Sequence, residues 1–336
     1  MTVIDSINNE NASEKELKES PATGTPYDDA FRTMTNDCPD LLIPVINEIF
    51  GKKYPNDAKV IFGQNEHFIN TMDGDLEKRI TDSSFKIVER TGKCSGKYLI
   101  ECQSKPDSTM VVRIFEYATQ IALDENVIVG NRMTVEIPNA AVLFLRSNKN
   151  TPDKLEIEMI TPGGTVLFDI PSMKLVSYDI GEIFEKELYF LIPFFLFNRE
   201  KIFRDCEADE VKLGELLEDI LRLIHRLDEV MEEDHLSAYQ RCIILDMTKL
   251  VSGALTEKYR IVKEGVEKIM RGKVIETEAS RIYKEGIKEG IKEADRNRLT
   301  QDAKAMLDDG LEPERVARIL HITVEKLEEL VGLVTS

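Results

Sequence analysis

The chain has no tryptophan, four histidines and five cysteines in 336 residues. None of Cys38, Cys94, Cys102, Cys206 and Cys242 forms a Cys-x-x-Cys pair, and the odd count in a chain of this length speaks against a disulfide framework. No histidine stands at zinc-ligand spacing from a second His or Cys, which removes the common zinc sites. A surplus of basic charge is missing too: 44 Lys and Arg stand against 62 Asp and Glu, a formal net charge of -18. That excludes indiscriminate attraction to nucleic acid through a basic surface. It leaves open a local basic cleft or a cation bridging to phosphate. The longest apolar run, Leu188 to Phe197, is too short to span a bilayer, and Pro193 interrupts it. The N-terminal stretch has no basic start followed by an apolar segment and does not read as a signal peptide. These absences point to a chain with no membrane partner in a reducing, cytoplasmic setting.

What is present is ordinary for a globular protein, with 42% apolar and 32% charged residues. Residues 1–25, rich in Asn, Ser, Glu and Lys, read as a disordered segment. Residues 26–204 read as one α/β core. Phe31, Met34, Leu41, Leu42, Val45, Ile46 and Ile49 recur at helical spacing, and Gly51 is placed to end the helix. Candidate strands follow at "VIFGQNEHFI", "RITDSSFKIVE" and "KYLIECQS", with "RTGKCSG", residues 90–96, as the hairpin loop between the last two. "VVRIFEYATQIALDEN" turns to helical periodicity, with Val112, Phe115, Ile121 and Leu123 expected in the core. "NAAVLFLRS" and "LEIEMITPGGTVLFDI" return to strand composition.

The remainder reads as helical. Residues 205–298 form an extension with an amphipathic segment and the repeat "KEGIKEGIKEA", residues 284–294. Residues 299–336 have the spacing of a helix-turn-helix. Its last helix carries Glu325, Glu328 and Glu329 against Lys326, a poor charge set for reading a major groove and a better one for packing or homo-oligomer formation.

The chemistry centres on the hairpin. A loop at residues 90–96 sets the hairpin centre near residue 93, give or take a residue or two, and brings Asp82 across from about residues 101–104. Glu101 and Gln103, two residues apart, share a strand face. Asp82, Glu101 and Gln103 therefore converge at one end of the hairpin. Two carboxylates at that distance repel and require a proton or a cation, and all-oxygen ligands favour Mg²⁺ or Mn²⁺ over zinc. Lys105, four residues beyond Glu101, has the parity to reach back if the strand continues, although Pro106 suggests that it ends.

The order and spacing of "YDDAFRTM", "LLIPVINEIFG", "RITDSSFKI", "YLIECQS" and "RIFEYA" resemble the PD-(D/E)XK nuclease superfamily, in particular its Rpn branch of recombination-promoting nucleases and transposases. The resemblance runs from about residue 26 to the end. It implies a restriction-endonuclease-like fold, a central mixed sheet flanked by helices and followed by an all-helical C-terminal region. It also implies a Mg²⁺-dependent endonuclease acting on DNA. By that resemblance Asp82 and Glu101 are the metal-binding acids, with the Cys102 backbone carbonyl between them as a third ligand. Gln103 stands at the superfamily's lysine position, where it can orient a water but not act as a base. Arg113 and Tyr117 match the family's helical Arg and Tyr. Arg113 is placed either to offset phosphate charge or to pair with Glu116 or a neighbouring acid. Glu48 is the candidate upstream acid, while Asp28 or Asp29 suits a helix cap. The competing expectation is a non-catalytic nucleic-acid-binding or assembly protein on a degenerate nuclease fold, to which the acidic charge and the missing lysine both point.

Overall fold

A computed structural model of the chain describes residues 25–62, 66–70, 76–80, 83–89, 94–105, 107, 109–274, 299–301, 303–304, 306–307, 311–320 and 322–331. Asp82, the segment 1–24 and the repeat at 284–294 lie outside these residues. Among the described residues the architecture is a central mixed sheet flanked by helices, with helices through the C-terminal region. No helix among them is long and apolar enough to cross a membrane. Two compact units are present, Met1–Lys201 with Leu250–Leu255 and Ile202–Lys249 with Thr256–Ser336.

In the first unit, helix α1 (Pro26–Asp37) starts on a capping box: Thr25 N–H donates to Asp28 at 2.7 Å and Asp28 N–H donates back to the Thr25 hydroxyl at 3.4 Å. Helix α2 (Leu42–Phe50) ends where Gly51 takes a left-handed φ of 60°, which a glycine accepts without strain. The main sheet has six strands in the order β1 (Lys59–Phe62), β4 (Ser83–Val88), β5 (Cys94–Gln103), β8 (Asn139–Phe144), β10 (Gly164–Lys174) and β9 (Lys154–Thr161). β2 (Glu66–Asn70) with β3 (Leu76–Ile80), and β6 (Val127–Val129) with β7 (Arg132–Thr134), form two separate antiparallel pairs. The expected continuous strands "VIFGQNEHFI" and "RITDSSFKIVE" are therefore each divided between the main sheet and the β2–β3 pair. The expected hairpin loop is also shorter, because Cys94 to Gly96 already belong to β5.

β5 is the centre of the core. It runs antiparallel to β4 and parallel to β8, and Tyr98 to Gln103 are all buried, as expected for a strand covered on both faces. Side chains alternate between those faces. Tyr98 faces one layer, with Phe50 of α2 at 5.1 Å and Phe85 of β4 at 5.9 Å between ring centroids. Its hydroxyl shares a 2.7 Å hydrogen bond with Tyr54. Leu99 faces the other layer, helix α3 (Met110–Asp124), where it packs with Ile114, Tyr117, Ala118, Ala140 and Val142. Each fully buried aliphatic side chain there contributes roughly 1.5–3 kcal/mol. Val112 and Leu123, expected in the core, are instead 57% and 41% exposed; the buried stripe runs through Met110, Ile114, Tyr117, Ala118, Ile121 and Ala122.

The apolar run after α4 (Ile180–Glu185) lies in a 3-10 segment, Tyr189–Ile202, that is buried from Tyr189 to Phe197, with Phe190 edge-on to Phe31 and Phe197 edge-on to Tyr27. The second unit contains α5 (Phe203–Cys206) and α6 (Glu210–Glu232), most of α7 (Ala238–Leu255), and α8 (Arg260–Val274). Glu207 accepts the Val262 N–H at 2.9 Å, and Arg241 pairs with Asp228 at 2.5 Å. At its C-terminal end, α9 (Pro313–Ile319) and α10 (Val324–Val331) bury Val316, Ala317 and Leu327 together with Ala303.

Candidate active site

The β4–β5 register decides which residues can meet. Ser83 pairs with Ile100 and Ser84 with Leu99, so the hairpin centre falls between residues 91 and 92. On the strand itself Lys97, Leu99, Glu101 and Gln103 share the face turned to α3. Glu101 is 3% exposed and Gln103 8%, both deep for polar side chains. On the β8 side Glu101 pairs with Val142 and Gln103 with Phe144, and the Gln103 carbonyl accepts the Leu145 N–H at 2.9 Å. Carbonyls alternate along a strand, so the Cys102 carbonyl turns to the opposite edge, where the described pairing with β4 ends at Ser83 and Ile100.

A carboxylate this deep requires compensating charge. Part of it comes from Arg113, on the first turn of α3, with Nη2 3.6 Å from Glu101 Oε2. The same guanidinium lies 3.2 Å from Asp107 Oδ2 through Nη1. With its amide turned to satisfy both neighbours, Gln103 accepts from Arg113 Nη2 at 3.0 Å and donates to the Lys105 carbonyl at 3.1 Å. Asp107 is fixed in turn: its Oδ1 accepts the Thr109 hydroxyl at 2.7 Å and the Thr109 N–H at 2.8 Å. These Thr109 bonds, aided by the Arg113 charge, hold the Asp107 carboxyl below the usual carboxylate range. The Arg113 side chain is a third exposed.

Of the residues expected at the site, Glu101, Gln103 and Arg113 come together. Tyr117 is buried in the apolar layer between α3 and the sheet. Lys105 lies exposed beyond Gln103, where β5 ends, so strand parity does not carry its side chain back toward Glu101. Glu48 is held elsewhere on α2, accepting from Lys186 at 2.5 Å and from Tyr178 at 3.1 Å. Burial and the nearby Glu48 charge push the Tyr178 hydroxyl pKa up. Asp28 serves α1 as the N3 residue of its capping box. Among the described residues no three His, Cys, Asp or Glu side chains gather closely enough to hold a metal.

Two residues of the site went unnoticed in the sequence. Asp107 had a local signal, since Asp-x-Thr immediately before a helix is turn-forming composition. Arg146 had none. It follows β8, donates to the Ser104 carbonyl at 2.6 Å and grips Glu200 at 2.6 and 2.9 Å, with its guanidinium 4.6 Å from the Phe197 ring centroid. It thereby ties down the chain where it leaves β5.

Residues 56–189 match the family model described as "Putative transposase, YhgA-like", a stretch that contains the whole six-stranded sheet. Comparison with curated proteins and with solved structures gives no match.

Proposed function

We propose, for a chain whose residues 56–189 match the YhgA-like putative transposase family model, a family of the PD-(D/E)XK Rpn group, a metal-dependent endonuclease that hydrolyses phosphodiester bonds in DNA. The observation that carries this reading is the Glu101 carboxylate, buried on the α3 face of β5 beside Arg113. The second acid of this reading is Asp82, which lies outside the described residues and precedes the Ser83–Ile100 pair in the sequence.

Asp82, Glu101 and the Cys102 carbonyl make an all-oxygen donor set suited to Mg²⁺, with Mn²⁺ as an alternative. A bound Mg²⁺ would polarise a scissile phosphate and acidify a water. Glu101 would hold its share of the cation from a rigid central strand. Burial of Leu99 and Tyr98 fixes that strand, so the carboxylate does not have to be ordered on binding. Arg113 would face the phosphate from α3 as a fixed cation. Gln103 borders the same place, but it carries no charge and has no basic site. The net charge of -18 makes DNA contact depend on this local arrangement rather than on the surface as a whole.

The test is cleavage of supercoiled plasmid by the full chain with Mg²⁺, beside Asp82→Ala and Glu101→Ala. Cleavage should be lost in both variants. Unchanged cleavage in both overturns the site. A second reading is favoured by the Gln103 amide, whose two ends are both taken by protein groups: a non-catalytic DNA-binding protein on this fold. Titration calorimetry separates the two, because no heat of binding at millimolar Mg²⁺ or Mn²⁺ from the folded protein would favour the second.

A further inference from the structure

The geometry points to Gln103 as a positioning residue: its amide fixes the Arg113 guanidinium beside the Glu101 carboxylate, so the site's cation is carried by α3 and aimed by β5. This rests on the metal-dependent reading of the same site.

Both hydrogen-bonding ends of the amide are engaged. The oxygen accepts from Arg113 Nη2 at 3.0 Å and the nitrogen donates to the Lys105 carbonyl at 3.1 Å. The side chain is 8% exposed, so little of it is left to order a water or touch a substrate. The Arg113 side chain, by contrast, is a third exposed. A guanidinium on a long side chain has many rotamers, and one distant carboxylate contact at 3.6 Å does not select among them. Three fixed groups do: Glu101, Gln103 and Asp107, the last held by Thr109. Gln103 is the neutral member. It orients the guanidinium without cancelling its charge, whereas a carboxylate there would neutralise it and a lysine would repel it.

The test compares Gln103→Leu, Arg113→Met and the double variant with wild type in the full chain, reading Mn²⁺ affinity by titration calorimetry and plasmid cleavage with Mg²⁺. Removing the Arg113 charge should tighten Mn²⁺ roughly three- to tenfold, because a competing positive charge is gone. Gln103→Leu, which releases the guanidinium, should move affinity in the same direction by less. Each single variant should slow cleavage by about tenfold or more. The double variant should match Arg113→Met in both readouts, since Gln103 acts only through Arg113. Should Gln103→Leu fail to fold, Gln103→Met keeps the side-chain length and carries the same comparison. The assignment is overturned if the Gln103 variants match wild type, or if the two single effects multiply in the double variant. Wild type that binds no Mn²⁺ overturns the metal-dependent reading as well, and so is distinguishable from a wild type that binds and cleaves while Gln103→Leu does the same.

Discussion

Lys86 and Lys97 are Cα partners across β4 and β5, and each ammonium lies 2.8 Å from a different oxygen of Glu125. Two lysines directly opposite on one sheet face would repel. Glu125, the C-cap of α3, sits between them and ties the end of that helix to the sheet. Lys97 also meets Glu136 at 2.9 Å.

Glu125→Gln should therefore destabilise the protein by about 1–2 kcal/mol, a modest figure because all three groups are partly exposed. Chemical denaturation at neutral pH checks it.

The same trio carries a pH dependence. Burial opposes charge on Glu125, but the hydrogen bonds and charges of Lys86 and Lys97 outweigh it and lower its pKa. A lowered carboxylate pKa stabilises fully above the unfolded value, about 4.3, and the benefit is lost as pH falls through the folded value. Burial lowers the Lys97 pKa, yet Glu125 and Glu136 raise it overall, so its contribution is present below the unfolded lysine value and lost as pH rises through the folded one. The stability gap between wild type and Glu125→Gln should be flat through neutral pH and shrink at both acid and alkaline extremes.

Gly96→Ala should destabilise by about 1–3 kcal/mol. A Cβ at Gly96 would lie 2.7–2.9 Å from the Tyr98 ring and hydroxyl, and that ring is buried and bonded to Tyr54. Gly214 in α6 has nothing within 4 Å of the corresponding position, so Gly214→Ala should be neutral or stabilising by up to about 1 kcal/mol. Denaturation midpoints for the pair separate collision from helix propensity.

Arg146→Lys keeps the charge but loses the fork that reaches Glu200 and Ser104 together. A loss of about 2–3 kcal/mol is expected, read as a lower melting temperature.

Thr109→Ala should raise the Asp107 pKa, because the larger part of its lowering comes from Thr109 hydrogen bonds. The Asp107 contribution exists above its unfolded pKa and disappears as pH falls through the folded one, so removing Thr109 should move that loss to higher pH. A carboxyl NMR titration of wild type and variant reads the shift directly.

The sequence made β5 and its polar end visible because an apolar run leading into Glu101 and Gln103 is a local pattern, and strand alternation needs no tertiary information. The hairpin centre came within two residues for the same reason. The division of the neighbouring strands did not show, since nothing in the apolar pattern of "RITDSSFKIVE" marks where one sheet hands over to another. In α3 apolar residues occur around more than one face, so periodicity selected Val112 and Leu123 where tertiary packing buries Ile114 and Ala118. Arg146 was out of reach because its partners lie 42 and 54 residues away in the chain.

β5 has unlike neighbours, and this sets an order in time. Its β4 edge is closed by a short local hairpin, whereas its β8 edge pairs Tyr98 with Asn139 only after the chain has passed through α3. Short closures lose less chain entropy and form in microseconds. In pulsed hydrogen exchange during refolding, β5 amides bonded to β4 should gain protection before those bonded to β8. The strand bearing Glu101 would then be half assembled, its carboxylate still bathed in water, until the helix carrying Arg113 arrives.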